Sequence, residues 1–221
     1  MPQRLNTSAS TSTRSKKDLC QSWKLYVITQ PMPDLVEKVR QAILGGADVI
    51  QLRDKNAADE DLARQAKSLL QVTRAMRVPL ILNDRVSAAK ISGADGVHLG
   101  QEDGALSAAK LVLGEDAIFG RSTHSPDQAR AAQKEGFDYI GVGPVFETPT
   151  KAGRPAVGLD YVRFVSQNIS TPFVAIGGVD ENNVAQVRDA GAKAVAVVRA
   201  VMGSQDPRLA AKRLKEKMER K

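Results

Sequence analysis

GADVIQLR (46–53) is the stretch that decides the fold, because a Gly-Ala-Asp turn leads at once into a short apolar run. The same order returns in GADGVHLG (93–100), with variants at Gly136-Phe137-Asp138 and at Gly191-Ala192-Lys193. Glycine at this position is typical of a helix C-cap, and the apolar run after it is typical of a buried strand. A helix–glycine–strand junction that recurs along the chain predicts a modular β/α architecture.

Eight short apolar runs recur between amphipathic stretches, and most of them are β-branched or bounded by Gly or Pro. They are LYVIT (25–29), DVIQLR (48–53), PLILN (79–83), GVHLG (96–100), AIFGRS (117–122), YIGVGP (139–144), FVAIGG (173–178) and AVAVVR (194–199). Eight strand–helix units in roughly 200 residues predict an α/β protein with a single (β/α)8 TIM barrel. A doubly wound sheet is the alternative, although no glycine-rich loop follows the first run.

Helix boundaries can be predicted at several of the stretches between the runs. Asp59 is predicted as the N-cap of a helix over 59–71. Ser125 followed by Pro126 predicts a capped helix start, and a proline also begins the predicted last helix, 207–219.

The net charge of +7 lies in the two ends of the chain. Residues 1–22 carry +3 and residues 206–221 carry +4, so the segment between them is neutral. Charge confined to the ends is weak evidence for a nucleic-acid groove, and we predict no nucleic-acid partner. We also predict no membrane partner, because no apolar run reaches transmembrane length.

The N-terminal extension, residues 1–22, is polar and basic, and its Ser/Thr-rich part, residues 6–18, predicts disorder. A transit peptide is an alternative interpretation of this extension. We place the boundary of the barrel domain after it, at 23–221. Cys20 is the only cysteine, which excludes an intrachain disulfide and is compatible with a reducing cytoplasm, the predicted location.

A (β/α)8 barrel places its active site at the C-terminal ends of its strands, so polar residues there are the candidates. In chain order they are Gln51, Arg53, Lys55, Asn83, Asp84, Asp103, Ser122, Thr148, Thr150, Lys151, Gly177, Gly178 and Arg199. Cations and hydroxyls suit an anionic ligand, and paired glycines let a ligand phosphate approach the backbone.

Asp84 and Asp103 come from neighbouring strand ends beside these phosphate-binding groups. Mg²⁺ typically uses one or two carboxylates and completes its shell with water and substrate phosphate oxygens. The two carboxylates therefore predict a Mg²⁺ site.

Each candidate also has a purely structural interpretation. The polar alternation over 51–55 could belong to a solvated strand end, and Asp84 and Asp103 could each cap a following helix. The two loop threonines could merely order their loop. His98 and His124 are interpreted as structural rather than catalytic. The convergence of all candidates at one end of one barrel favours a functional site.

The chain resembles the thiamine-phosphate synthase family over essentially its whole length apart from the ends. The motifs that carry the resemblance are QLRDK (51–55), ND (83–84), HLGQED (98–103), GRSTH (120–124), GPVFETPTK (143–151) and AIGGV (175–179). A Gly-Gly turn alone occurs in many barrels, but this set in this order, on these strands, is specific.

The resemblance implies a transferase that joins 4-amino-2-methyl-5-(diphosphooxymethyl)pyrimidine to 4-methyl-5-(2-phosphooxyethyl)thiazole, or to its 2-carboxy form, and releases diphosphate. Residues implied to bind the pyrimidine diphosphate are Gln51, Leu52, Arg53, Asp54, Lys55, Asn83, Ser122 and Lys151. Residues implied to bind the thiazole phosphate are Thr148, Pro149, Thr150, Gly178, Val198 and Arg199. The implied Mg²⁺ ligands are Asp84 and Asp103, and the implied catalytic residues are Lys55, Ser122 and Lys151.

The implied chemistry requires no protein nucleophile. Loss of diphosphate leaves a cation that the pyrimidine amino group stabilises, and the thiazole nitrogen then attacks it. The protein has mainly to neutralise charge on the departing diphosphate and to position the two reactants. The implied partners are two phosphorylated small molecules, and the sequence leaves a homo-oligomer open.

One position departs from the family pattern. Members commonly have Ser after the last strand, within Val/Ile-Ser-Ala, whereas this chain has Val198-Arg199-Ala200. Arginine can bind phosphate bidentately, but it is larger than serine.

Two alternatives differ in activity from the implied synthase. One is the thiazole tautomerase branch of the same fold family, whose members lack the paired carboxylates and the HLGQED motif. The other is a non-catalytic phosphate-ligand or nucleic-acid binder, which would depend on the basic ends. For a synthase, deletion of residues 1–22 is expected to preserve activity.

Overall fold

The computed structural model describes residues 15–148 and 155–220 and contains a closed barrel of eight parallel strands. The strands are β1 (Leu25–Ile28), β2 (Val49–Leu52), β3 (Leu80–Asn83), β4 (Gly96–Leu99), β5 (Ile118–Thr123), β6 (Tyr139–Val142), β7 (Phe173–Ile176) and β8 (Val195–Val197). Each strand pairs with the next along the chain, and β8 closes the barrel by pairing with β1. The predicted TIM barrel is confirmed, and each strand overlaps its predicted run.

Ten helices accompany the strands in the described ranges. They are α1 (Lys16–Ser22), α2 (Leu35–Leu44), α3 (Asp59–Ala75), α4 (Val86–Ser92), α5 (Leu106–Leu113), α6 (Pro126–Glu135), α7 (Gly158–Asn168), α8 (Val184–Asp189), α9 (Arg199–Met202) and α10 (Pro207–Glu219). Ser125 caps α6 as predicted, but Asp59 is the first residue of α3 and Ala58 is its N-cap, so that prediction is wrong. In this part of the chain no helix has both the length and the apolar character needed to cross a bilayer.

The Gly-x-Asp junctions end a helix and also fasten the start of a strand. Gly93 and Gly136 end α4 and α6 with φ of 73° and 89°, a left-handed conformation that favours glycine. The aspartate two residues after the glycine accepts backbone N–H groups at the start of the preceding strand. These bonds are Asp48 to Lys24 and Leu25 (2.8 and 2.9 Å), Asp95 to Leu80 (2.7 Å) and Asp138 to Phe119 (2.8 Å).

Apolar side chains form two concentric layers. The outer layer lies between strands and helices and includes alternate strand residues such as Val27, Ile50 and Leu52. The inner layer fills the barrel with Tyr26, Ile28, Val49, Ile81, Ile118, Tyr139, Val174, Ala194 and Ala196. Because the interior is packed, ligands have to bind above it, at the C-terminal mouth.

The helix α1 corrects the prediction that residues 1–22 form a disordered extension outside the barrel. Cys20 and Trp23 are buried in the inner layer, on the N-terminal side of β1. Lys16 Nζ donates to two backbone carbonyls just before β5, at 2.5 and 2.9 Å. The α1 helix therefore closes the N-terminal end of the barrel. Residues 1–14 lie outside the described residues.

Candidate active site

A small cavity opens at the C-terminal ends of the strands, directly above the inner layer. Its volume is about 50 Å³, and it brings together four residues predicted to bind the pyrimidine diphosphate: Gln51, Arg53, Asn83 and Ser122. Its remaining lining residues are Tyr26, Ile28, His98, Gly141, Val174, Ile176, Ala196 and Val198. Apolar walls with a few convergent polar groups are typical of ligand sites.

Five side chains beneath and beside this cavity form one hydrogen-bonded chain. The links are Gln51 Nε2 to Tyr26 Oη (2.8 Å), Tyr26 Oη to Tyr139 Oη (2.8 Å), Tyr139 Oη to His98 Nδ1 (3.0 Å) and His98 Nε2 to Ser122 Oγ (2.9 Å). Burial raises the pKa of both tyrosines well above the ordinary value, so each hydroxyl keeps its hydrogen. These five side chains form the floor of the cavity, and their polar groups are paired with one another.

The predicted metal ligands Asp84 and Asp103 come together at the rim, next to the Asn83 side of the cavity. Asp84 has a left-handed backbone (φ 62°), and its N–H donates to the His98 carbonyl at 2.9 Å. Asp103 Oδ2 accepts the N–H of Gly100 at 2.7 Å. Neither carboxylate caps the helix that follows it, so the structural alternative for this pair is not supported.

The contact between the two carboxyl groups is electrostatically unfavourable when both are ionised. Burial raises the pKa of Asp84 to about 6, and a hydrogen bond with Asp103 and its charge act in the same direction. The charge of Lys55 and a hydrogen bond with Asn83 partly oppose this shift. A bound cation would remove the repulsion, and two carboxylate donors match the usual protein contribution to a Mg²⁺ site.

Strand β5 holds the loop that carries Asp103. Gln101 Nε2 donates to the Ser122 carbonyl at 2.5 Å. The Arg121 guanidinium donates to the carbonyls of Gly104 and Gln101, at 2.9 and 3.2 Å. Arg121 thus fixes the loop that carries Asp103 to strand β5, which carries Ser122. This role of Arg121 was not predicted from the sequence.

A larger cavity of about 310 Å³ adjoins the first, and the two share Ile176, Ala196 and Val198 in their walls. Two segments, 176–180 and 196–200, form most of its lining. Four residues predicted to bind the thiazole phosphate line it, namely Thr148, Gly178, Val198 and Arg199. The structure therefore brings together two sets of residues that the sequence analysis assigned to two substrates.

The glycine pair after β7 forms a turn that a side chain would disrupt. Gly177 and Gly178 have φ of 102° and 66°. A Cβ at Gly177 would lie 2.5 Å from Pro144 Cα, and one at Gly178 would lie 2.8 Å from the Glu147 carbonyl oxygen. Glycine here leaves bare backbone along the wall of the larger cavity.

Two predicted binding residues use their side chains elsewhere. Leu52 packs in the outer layer, because successive side chains of β2 point to opposite faces, so its side chain does not line the cavity. Asp54 Oδ1 accepts the N–H groups of Asn56 and Ala57, at 3.0 and 3.2 Å, and orders the loop before α3.

Three further predicted residues, Pro149, Thr150 and Lys151, lie outside the described residues. Their roles stay predictions.

Both histidines make hydrogen bonds that support the structural interpretation. His98 joins the hydrogen-bonded floor. The His124 N–H donates to Gln128 Oε1 at 2.7 Å, and its Nδ1 contacts the Gly143 carbonyl. Tyr26 and Tyr139 were not predicted as site residues, although a tyrosine inside a strand is a usable signal because a buried hydroxyl needs a partner.

Comparisons with known proteins agree on one family. Residues 25–201 match the family model described as thiamine monophosphate synthase. The chain is 45% identical over 197 residues to the thiamine-phosphate synthase of Nostoc punctiforme and 43% identical over 201 residues to that of Thermus thermophilus. These alignments cover 89% and 88% of this chain, and 56% and 97% of the relatives. The chain thus spans little more than half the length of the Nostoc protein and nearly all of the Thermus protein.

A solved structure supports the same assignment. The thiamine phosphate pyrophosphorylase of Pyrococcus furiosus superposes with a TM-score of 0.83 at 39% sequence identity, covering 91% of this chain and 98% of that one. The matched region runs from β1 into α9 and contains both cavities and the carboxylate pair. The chain therefore belongs to the thiamine monophosphate synthase family.

Proposed function

We propose that the chain couples 4-amino-2-methyl-5-(diphosphooxymethyl)pyrimidine with 4-methyl-5-(2-phosphooxyethyl)thiazole to give thiamine phosphate and diphosphate. With the 2-carboxy form of the thiazole, CO2 would be released as well. The single observation that supports this most is the contact between the carboxyl groups of Asp84 and Asp103, next to Asn83 in the wall of the smaller of two adjoining cavities. A reaction between a diphosphate ester and a phosphate ester needs two such neighbouring subsites.

The smaller cavity presents polar groups that match those of the pyrimidine diphosphate. Gln51 directs Nε2 toward Tyr26, so its carbonyl oxygen can accept a hydrogen bond from an amino group of the ligand. Arg53 and Ser122 supply a cation and a hydroxyl toward the side where the diphosphate would extend.

Asp84 and Asp103 would hold Mg²⁺. When bound, the ion would neutralise charge on the diphosphate as it leaves. Lys55 lies close enough to lower the pKa of Asp84, so its ammonium group can also reach anionic oxygens at this rim. Lys151 is proposed as a further cation for the same leaving group.

The larger cavity suits the thiazole phosphate. The bare backbone at Gly178 permits close approach of a phosphate, and the Arg199 guanidinium adds a planar set of donors. Thr148 lines the same cavity, and Pro149 and Thr150 are proposed to complete it. Arg199 thus replaces the serine of the family pattern with a cationic phosphate ligand.

The proposed reaction breaks the bond between the pyrimidine methylene carbon and the diphosphate oxygen, and the bonding electrons leave with the diphosphate. The thiazole nitrogen then donates its lone pair to that carbon and forms the new C–N bond. The two cavities share Ile176, Ala196 and Val198 in their walls, so reactants bound in them would lie side by side. No protein group becomes covalently attached.

A coupling assay tests this proposal. The purified chain should form thiamine phosphate from the two substrates with Mg²⁺ and not with EDTA. Asp84→Ala and Asp103→Ala should each lower turnover by at least about a hundredfold. Asp127→Ala is the matched control, because that carboxylate is exposed on α6 and pairs only with Arg130 in the described contacts.

Tautomerisation of a thiazole without coupling would contradict the proposal, as would wild-type turnover in both carboxylate variants. A cytoplasmic location and the absence of nucleic-acid and membrane partners stay predictions. They are consistent with a net charge that lies in the two ends of the chain.

A further inference from the structure

The hydrogen-bonded floor connects two residues on opposite sides of the small cavity. Gln51 begins the chain on β2 and Ser122 ends it on β5. Tyr26, Tyr139 and His98 lie between them, on β1, β6 and β4. Successive hydrogen bonds thus link five side chains from five strands.

The donors and acceptors can be assigned from one end. Gln51 Nε2 donates to Tyr26 Oη, and the other described partner of this buried hydroxyl is Tyr139 Oη, so we assign the Tyr26 hydrogen to Tyr139 Oη. The Tyr139 hydrogen is then directed to His98 Nδ1. A neutral imidazole that accepts at Nδ1 carries its hydrogen on Nε2.

The last link decides how Ser122 faces the ligand. In this assignment His98 Nε2–H donates to Ser122 Oγ, which lies 2.9 Å away, and the hydroxyl hydrogen of Ser122 is then directed away from the floor. At the other end, Gln51 keeps its carbonyl oxygen for the cavity. The floor therefore presents a hydrogen-bond acceptor, the Gln51 carbonyl oxygen, on one side of the cavity and a donor, the Ser122 hydroxyl, on the other.

We propose that Tyr139 and His98 are positioning residues that set the direction of these hydrogen bonds, so that Ser122 donates to the departing diphosphate. This inference rests on the proposed function for its consequence in catalysis. The direction of the hydrogen bonds does not depend on activity and can be measured in the protein alone.

Packing around the floor holds the two rings in place. A Cβ at Gly120 would lie 2.2 Å from the Tyr139 ring and 2.5 Å from His98 Nδ1, so glycine provides the space that both rings occupy. The Trp23 ring contacts Tyr26 and Tyr139 edge-on, at centroid distances of 5.8 and 5.1 Å. Rings confined in this way lose little freedom when they form the hydrogen bonds.

The first experiment determines the tautomer of His98 by ¹⁵N NMR of the untagged full chain. The chain has only two histidines, and His124→Gln assigns their signals. His98 should be the Nε2–H tautomer. His124 serves as the internal reference, because its Nδ1 has to donate to the Gly143 carbonyl. An Nδ1–H tautomer or an imidazolium at His98 would overturn the inference, whatever the activity.

The second experiment measures turnover in Tyr139→Phe, which keeps the ring and removes one hydroxyl. We expect kcat to fall about tenfold, with the KM for the thiazole phosphate within about twofold of wild type. The matched control is Tyr161→Phe, because the Tyr161 hydroxyl bonds to Thr123 Oγ1 and the Ser125 carbonyl, outside the floor. That control should keep wild-type kcat.

A double variant shows whether Tyr139 acts through Ser122. In a Ser122→Ala background, Tyr139→Phe should cause no further loss of kcat. Unchanged kcat in Tyr139→Phe, or losses that multiply in the double variant, would overturn the inference. An inactive wild-type protein would instead refute the proposed function, and the tautomer of His98 would still test the direction of the hydrogen bonds.

Discussion

Asp84 combines three unfavourable features in one residue. Its backbone is left-handed, its carboxyl group is partly buried, and a second carboxylate contacts it. Aspartate tolerates this backbone conformation better than most residues do, and the bond from its N–H to the His98 carbonyl helps to maintain it. Such features cluster at functional sites, where bound ligands offset their cost.

The raised pKa of Asp84 predicts a gain of stability on neutralisation. Its pKa in the folded protein is about 6, above the ordinary value of 3.8. Stability should therefore fall as the pH rises from about 4 to 6, because the unfolded chain releases this proton first. Without metal, Asp84→Asn should increase the free energy of unfolding at pH 7.5 by on the order of 1 kcal/mol, allowing for solvent screening.

Urea denaturation in EDTA at several pH values measures this gain. The gain should shrink toward pH 4.5, where the wild-type carboxyl group is already protonated in the folded state. Asp127→Asn, with a side chain that is 95% exposed, should show no gain. A gain of equal size at every pH would argue against the assigned cause.

Residue types at strand ends could be predicted from the sequence, but contacts across the barrel could not. Gln51 and Ser122 lie near the C-terminal ends of recognisable strands and Arg53 follows one, and the barrel rule assigns these strand ends to one site. Tyr26 and Tyr139 are 113 residues apart and meet only because the closed barrel directs both inward. Strand spacing alone does not reveal which inward residues reach one another.

At the scale of elements, the Gly-x-Asp junctions contain more information than the glycines alone. Glycine is the C-cap at two of the four predicted junctions, Gly93 and Gly136, whereas the C-caps of α2 and α8 lie one residue before the predicted glycines. The aspartates of three junctions also fasten the start of the preceding strand, and Lys193 replaces the aspartate in the fourth. This role could not be predicted, because the bonded amides belong to a strand that lies earlier in the chain.

The α1 helix shows where composition was misleading. Polar residues before Cys20 predicted disorder, yet the described part of this segment forms a helix whose apolar side covers the barrel end. The deletion of residues 1–22 would remove Cys20 from the inner layer. We therefore expect that deletion to destabilise the barrel, which reverses the expectation from sequence.

Trp23 should be the most sensitive position at this end of the barrel. Its side chain is 2% exposed and contacts the rings of Tyr26 and Tyr139. Trp23→Ala should lower the free energy of unfolding by about 3–5 kcal/mol, because it leaves a cavity in the inner layer. Chemical denaturation measures this loss. Leu111→Ala, at a residue that is 89% exposed, should change stability by less than about 0.5 kcal/mol.

At the scale of the whole molecule, the eightfold repeat was sufficient to predict the closed barrel. Each junction returns the chain to the same edge, so successive strands pair in order and the last meets the first. The two cavities could not be predicted as separate spaces, because their volumes depend on how neighbouring strand ends and loops pack.

Ligand binding at the rim should stabilise the whole barrel. Mg²⁺ with inorganic diphosphate at about 100 times its dissociation constant should raise the Tm by roughly 5–10 °C. Thermal unfolding followed by circular dichroism measures this shift. Asp84→Ala should abolish it, whereas an equal shift in that variant would show that the anion binds elsewhere.

Closure of the barrel by Trp23 and α1 affects how reactants and products enter and leave the site. With one end sealed, both reactants enter and both products leave through the same mouth. We expect the reactant of the small cavity, which lies directly on the inner layer, to bind before the reactant of the larger cavity. The shape of the barrel therefore predicts that reactants bind, and products leave, in a fixed order. Product-inhibition patterns would show this as an ordered kinetic mechanism.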